Sequence, residues 1–100
     1  MILEDTMQQL ARQVAEVLQQ RQLNLVFAES CTCGAMAATL GEVPGISQYL
    51  CGSAVTYQAK TKTSWLNIAA ELLDDPGPVS EAVATEMVRG VLEQTPHADL

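Results

Sequence analysis

The chain has 100 residues, 48% of them apolar, and a formal charge of −7 from twelve acidic and five basic side chains. That composition fits one small globular domain rather than a disordered chain, and no apolar run approaches the roughly 18 residues of a membrane helix. Arg12, Arg21 and Arg89 are scattered, Lys60 and Lys62 form no basic stripe, and Phe27, Tyr49, Tyr57 and Trp65 make no base-stacking platform, all of which argues against nucleic-acid binding.

The amino terminus, Met-Ile-Leu-Glu-Asp, is acidic where a secretory signal is basic, so the cytoplasm is the expected location. Three cysteines are an odd number with no secretory context, and they read as thiols. Asp5 and Thr6 open the first expected helix, with Thr6-x-x-Gln9 as a capping box. Met7, Leu10, Ala11, Val14 and Leu18 supply its apolar stripe, and the pattern ends near Gln22. Leu23 to Ala28 is short and almost wholly apolar, which suits a strand covered on both faces.

Gly34 to Leu40 is rich in Ala and Met and reads as a helix capped by Gly41, followed by a turn at Val43-Pro44-Gly45. Leu50 to Tyr57 is the second expected strand, with Gly52 marking a bulge or a close approach. A short helix is predicted from Lys60 to about Leu66, and another from Ala69 to Leu73. Ser80 caps a last helix whose stripe is Val83, Ala84, Met87, Val88, Val91 and Leu92. Pro96 prevents its continuation, and Ala98-Asp99-Leu100 reads as the start of a third strand.

The joint "VFAESCTCGAMAA", Val26 to Ala38, carries the chemistry. A strand delivers the chain to a helix start, where free N–H groups and the helix dipole favour an anion. That anion is either a bound phosphate or the oxyanion formed when a serine attacks a carbonyl. The Ser30 hydroxyl lies in this field, and Cys31, Thr32, Cys33 and Gly34 offer N–H groups. The plainer alternative is that Ser30 or Thr32 is an N-cap. Glu29 stands at a strand's carboxyl end, where α/β sites lie, and is equally readable as a solvated or cap-supporting acid.

A serine nucleophile needs a base. The only histidine, His97, lies near the end of the chain, whereas both lysines fall in "TYQAKTK", just past the second strand. If the two strands are parallel neighbours, Ser30 and this segment meet at one sheet edge. A lysine beside a second cation and near Trp65 is a candidate base with a lowered pKa, and Tyr57 is placed to hydrogen-bond within the pair. The alternative is a solvated Lys-x-Lys loop. Cys31, Cys33, Cys51 and His97 lack zinc spacing, so no metal is expected.

Three stretches together resemble the CinA carboxy-terminal-domain family, the bacterial nicotinamide-nucleotide amidases. "AESCTCGAMAATL" is similar to its A-E-S-C-T-G-G signature, "EVPGISQYLCGSAVTYQAKTK" to its P-G…V-T-Y-x-N-x-x-K segment, and "GPVSEAVATEMVRGVLEQTPHADL" to its V-S-x-x-V-A-x-E-M-A-x-G segment. The resemblance implies an α/β fold of three-layer α/β/α type, frequent oligomers, and hydrolysis of the amide of nicotinamide mononucleotide to nicotinic acid mononucleotide and ammonia without a cofactor. It implies Ser30 as nucleophile, Lys62 rather than Lys60 as base, and Tyr57 as the tyrosine of V-T-Y. Glu29, Cys31, Thr32, Cys33 and Gly34 then form the substrate-binding turn.

Two positions depart from the family: its first glycine after S-C-T is Cys33, and its asparagine after the tyrosine is Ala59. The family's next segment, I-T-G-I-A-G-P and then K-P-x-G-T-V, is also absent from the sequence. The chain therefore reads as about two-thirds of the family domain, incomplete at its carboxyl end. A homo-oligomeric pyridine-nucleotide amidase is the first expectation. A non-catalytic nucleotide- or phosphate-binding module, or an oligomerising remnant, is the alternative.

Overall fold

The structure is a computed structural model that describes the backbone of residues 3–100 and the side chains of residues 6–100. Helix α1 (Leu3–Arg21) is followed by β1 (Leu25–Glu29), α2 (Ala35–Gly41), a 3-10 turn at Ile46–Gln48, β2 (Leu50–Val55), α3 (Ala59–Leu66), α4 (Ala70–Asp74) and α5 (Glu81–Gln94). The two strands are parallel neighbours, as the meeting of Ser30 with the lysine segment requires. Between Leu25 and Val26 the register skips from Leu50 to Gly52, so the bulge expected at Gly52 is present.

Strand alternation builds three layers. Leu25 and Phe27 pack with Ala11 and Leu18 of α1 and Leu40 of α2 on one side. Val26 and Ala28 pack with Leu66, Ile68, Leu73, Val83, Met87 and Val91 of the α3–α5 side on the other. The result is the α/β/α sandwich implied by the resemblance. The carboxyl end adds to the sheet: Val26 N–H donates to Leu100 O at 2.9 Å and Leu100 N–H to Asn24 O at 3.1 Å. Leu100 thus takes up strand-like bonds along the free side of β1, where the sequence places the start of a third strand.

Helix ends differ from the sequence reading in two places. Helix α1 begins at Leu3, so Thr6 is an interior residue and not its cap. Its other end closes in a Schellman arrangement, with Gln22 at φ 55°, Gln22 N–H to Gln19 O and Leu23 N–H to Leu18 O. Gly41 is the last residue of α2 rather than its cap. Ser80 behaves as expected, accepting from Val83 N–H at 3.2 Å and donating to Gly77 O.

The apolar stripes are also only partly buried. On α1, Ala11 and Leu18 enter the core, but Met7, Leu10, Val14 and Val17 are exposed. On α5, Val83, Met87 and Val91 are buried, whereas Ala84 and Val88 face a cleft. Among the described residues, no helix is long and apolar enough to cross a membrane.

Candidate active site

The alternation that sorts the β1 side chains decides what happens at its end. Glu29 continues the face of Leu25 and Phe27 and turns toward α2. Ser30, one residue on, turns to the opposite layer, where α3 lies. On α3, Lys62 and Leu66 share the buried face and Lys60 is exposed, which separates the two lysines.

Lys62 is 2% exposed. Its Nζ donates to Ser30 Oγ at 3.0 Å, to Thr56 O at 2.9 Å and to Tyr57 O at 2.9 Å. The amine is therefore held by two fixed carbonyls, and its third direction points at the serine. Those carbonyls belong to the segment leaving β2, and the sequence gives no sign of them, because a main-chain acceptor carries no residue signature. Thr56 is fully buried, and its hydroxyl finds no partner among the described residues.

Tyr57 enters this site differently from the sequence reading. Its carbonyl, not its phenol, bonds Lys62, and its side chain is 63% exposed at the rim. The neighbours expected to surround Lys62 are also elsewhere: Lys60 is exposed, and Trp65, itself 55% exposed, lines a separate depression with Val26 and Cys51. Burial and three oxygens define the surroundings of Lys62 instead. Ala59, at the family's asparagine position, is the exposed first residue of α3.

Glu29 is 2% exposed, and its carboxylate accepts from four protein donors. Oε1 takes Thr32 Oγ1 at 2.8 Å and Met36 N–H at 3.0 Å; Oε2 takes Ser53 Oγ at 2.8 Å and Ala37 N–H at 3.2 Å. Burial pushes this carboxyl up, but the bonds from Ser53, Met36, Thr32 and Ala37 together outweigh it and hold the group below the usual carboxylate range. Helix α2 has Gly34 at its N-cap and no side-chain cap of its own, so Glu29 serves in that role. Its acceptor positions are filled by the protein, which leaves none for substrate. The cap-supporting alternative is the one the geometry matches. Ser53 is the one hydroxyl in an otherwise small and apolar strand, and that isolated polarity is the signal that its role carries in the sequence.

This arrangement also corrects the anion cradle. The first-turn N–H groups of α2 at Met36 and Ala37 already face a carboxylate. Cys33 N–H closes a turn onto Ser30 O at 3.0 Å. Among the described residues, no acceptor takes the N–H of Cys31, Thr32 or Gly34. The donors open to a ligand are thus those of the turn before the helix. Cys33 has φ 51°, the left-handed conformation that a glycine at this position would adopt freely.

Ser30, Cys31, Thr32, Tyr57 and Lys62 line a cleft of about 540 Å³ whose far wall is Pro78, Val79, Ala84, Met87 and Val88. The wall is apolar, and Val79 is 89% exposed. Cys31 and Cys33 are exposed thiols and Cys51 is half-buried; among the described residues no group of three His, Cys, Asp or Glu is placed to hold a metal ion.

A parallel sheet covered by helices on both faces, with a serine at a strand end bonded to a buried lysine, defines an α/β protein with a Ser–Lys pair in a cleft. The chain belongs to the CinA family: the family model for the CinA C-terminal domain matches residues 7–100. A CinA-like protein from Desulfotalea psychrophila is 40% identical over 91 residues, 91% of this chain and 21% of that protein. The solved CinA superfamily protein from Escherichia coli superposes with a TM-score of 0.89 at 30% identity, covering 97% of this chain and 56% of that one. Competence damage-inducible protein A from Klebsiella pneumoniae gives a TM-score of 0.89 at 34% identity, covering 93% and 57%. The chain thus spans about a fifth of its curated relatives and just over half of the solved chains.

Proposed function

We propose that the chain carries the Ser–Lys machinery of an amidohydrolase that deamidates nicotinamide mononucleotide to nicotinic acid mononucleotide and ammonia. The observation that supports this reading is the 3.0 Å bond between Ser30 Oγ and a lysine that is 2% exposed. A neutral amine has two N–H donors and one lone pair. With Thr56 O and Tyr57 O taking the two donors, the lone pair faces the Ser30 hydroxyl and accepts its proton.

Ser30 Oγ then bonds to the carboxamide carbon. The oxyanion is held by turn N–H groups of Cys31 and Thr32. The Lys62 ammonium, now matching all three oxygens with three donors, returns its proton to the leaving nitrogen, and ammonia departs. Water attacks the resulting ester and gives a proton to Lys62; the bond from the acyl carbon to Ser30 Oγ then breaks as Lys62 returns that proton to Oγ, releasing the acid and restoring both residues. The apolar wall of Val79 and Val88 suits the face of a pyridine ring.

The rival reading, a non-catalytic phosphate cradle at the start of α2, loses support because Glu29 occupies the N–H groups it needs. Self-association belongs to the same proposal, supported by the exposed stripe Met7, Leu10, Val14 and Val17, and sedimentation tests it. The decisive experiment is ammonia release from nicotinamide mononucleotide by wild type and Ser30→Ala. Release that persists in Ser30→Ala overturns the assignment.

A further inference from the structure

Glu29 and Ser30 are consecutive, yet they face opposite layers of the sandwich. Ser30 meets α3 through Lys62, and Glu29 meets α2 through its helix N-terminus. The turn between β1 and α2 is therefore fastened at both ends by the residue next to Ser30. At the near end Glu29 belongs to the strand itself. At the far end its carboxylate grips Thr32 in the turn and Met36 and Ala37 in the helix. Ser53 Oγ adds a bond from β2, the strand that delivers the carbonyls of Thr56 and Tyr57 to Lys62.

One carboxylate thus ties together the strand, turn and helix around Ser30 and the neighbouring strand that positions the Lys62 acceptors. We infer that Glu29 is the positioning residue of this site, acting through Thr32, Ser53 and the α2 N-terminus to hold Ser30 Oγ on Lys62 Nζ. The inference rests on the reading of Ser30 as nucleophile and adds to it a residue whose carboxylate spends its four acceptor bonds on the protein.

Chemistry explains why the position is an ionised acid. Each oxygen accepts one hydroxyl and one backbone N–H. A glutamine of the same shape has one carbonyl oxygen and one NH₂. In either orientation its NH₂ faces Met36 N–H or Ala37 N–H, donor against donor. Only a carboxylate satisfies all four partners, and a shift of the turn by about 1 Å costs on the order of 10²-fold in rate when reacting groups are pre-aligned.

The test measures labelling of Ser30 by a fluorophosphonate on the full chain, beside kcat and KM for ammonia release and the thermal midpoint. In labelling, a Ser30 Oγ–P bond forms, fluoride leaves from phosphorus, and the serine proton passes to Lys62. The variants are Glu29→Gln, Ser53→Ala, Thr32→Val and Thr32→Ser. Thr32 is exposed, so its variants test the idea in a folded protein even if Glu29→Gln does not fold.

The expected result is a loss of about 10²-fold in labelling rate for Glu29→Gln. Thr32→Val and Ser53→Ala lose less, Thr32→Ser recovers most of the loss, and kcat falls while KM holds. If wild type labels and Thr32→Val, folded, labels and turns over at the same rate, the positioning role is overturned while the nucleophile stands. If wild type labels without releasing ammonia, the amide substrate is wrong, and slower labelling of the variants still supports Glu29. A wild type that does not label at Ser30 overturns nucleophile and positioning role together.

Discussion

Lys62 Nζ sits 3.0 Å from Ser30 Oγ across 32 residues of chain, held from behind by the carbonyls of Thr56 and Tyr57. The proposed mechanism requires both partners. Ser30→Ala and Lys62→Ala should each lower kcat by about 10⁴-fold, and the double variant should be little worse, because the two act as one unit. Lys60→Ala, at an exposed position, should leave turnover unchanged. Steady-state ammonia release measures all four, and an essential Lys60 would reverse the assignment of the base.

Cys33 holds a left-handed conformation at φ 51° in the turn whose neighbouring N–H groups are open. A side chain there costs roughly 1 kcal/mol that glycine avoids. Cys33→Gly should therefore raise the urea midpoint by an amount corresponding to up to about 1 kcal/mol. It should also raise kcat/KM, by less than the ~10²-fold that a whole oxyanion donor is worth. An unchanged or lower kcat/KM would mean that the turn already presents its N–H groups correctly.

Glu29 links acid stability to the site. Its carboxyl is held below the usual range in the folded chain, so the unfolded chain binds a proton there first. The stability it contributes is fully present above the unfolded value and is lost as pH falls through the folded one. Urea midpoints measured from pH 7 down to pH 3 should fall for wild type across the acid window. They should fall less for Glu29→Gln, which has no proton to take up at this position. Equal slopes would show that other carboxyl groups govern the acid limb.

Gly90 of α5 touches the end of α3 with no room to spare. A Cβ built there meets the carbonyl oxygen of Leu66 and lies 2.9 Å from Leu66 Cβ. The obstacle is backbone, so it cannot rotate away. Gly90→Ala should destabilise the chain by about 1–3 kcal/mol, readable by thermal or urea unfolding. Because Leu66 ends the helix that bears Lys62, kcat should fall as well.

Periodicity marks the helices and strands because each buries one face, and the strand–helix joint marks Ser30 and the Lys60–Lys62 segment, whereas the choice of Lys62 over Lys60 comes from the family resemblance. What stayed hidden has physical reasons. Met7, Leu10 and Val14 look like core residues because a sequence records apolarity and not what covers it. Glu29 looked available because its partners are main-chain N–H groups seven and eight residues on and a serine in another strand. Tyr57 drew attention to its ring, whereas its carbonyl does the bonding. Val88 belongs to the expected core stripe of the last helix, yet with Val79 of the preceding loop it forms the wall of a cleft.

Strand β1 has β2 along one side and the carboxyl-terminal residues along the other, through Val26, Asn24 and Leu100. A strand bonded on both flanks cannot peel away without breaking its ladder to β2 and its bonds to Leu100 as well, so its amides are expected to open late and exchange slowly with solvent deuterium. Strand β2 has only β1 as a sheet partner among the described residues, and it opens more readily. Ser30 is thus mounted at the end of the more firmly held strand, while the segment that presents Thr56 and Tyr57 to Lys62 hangs from the other. Partial unfolding would accordingly release Lys62 from its carbonyls before it displaced Ser30.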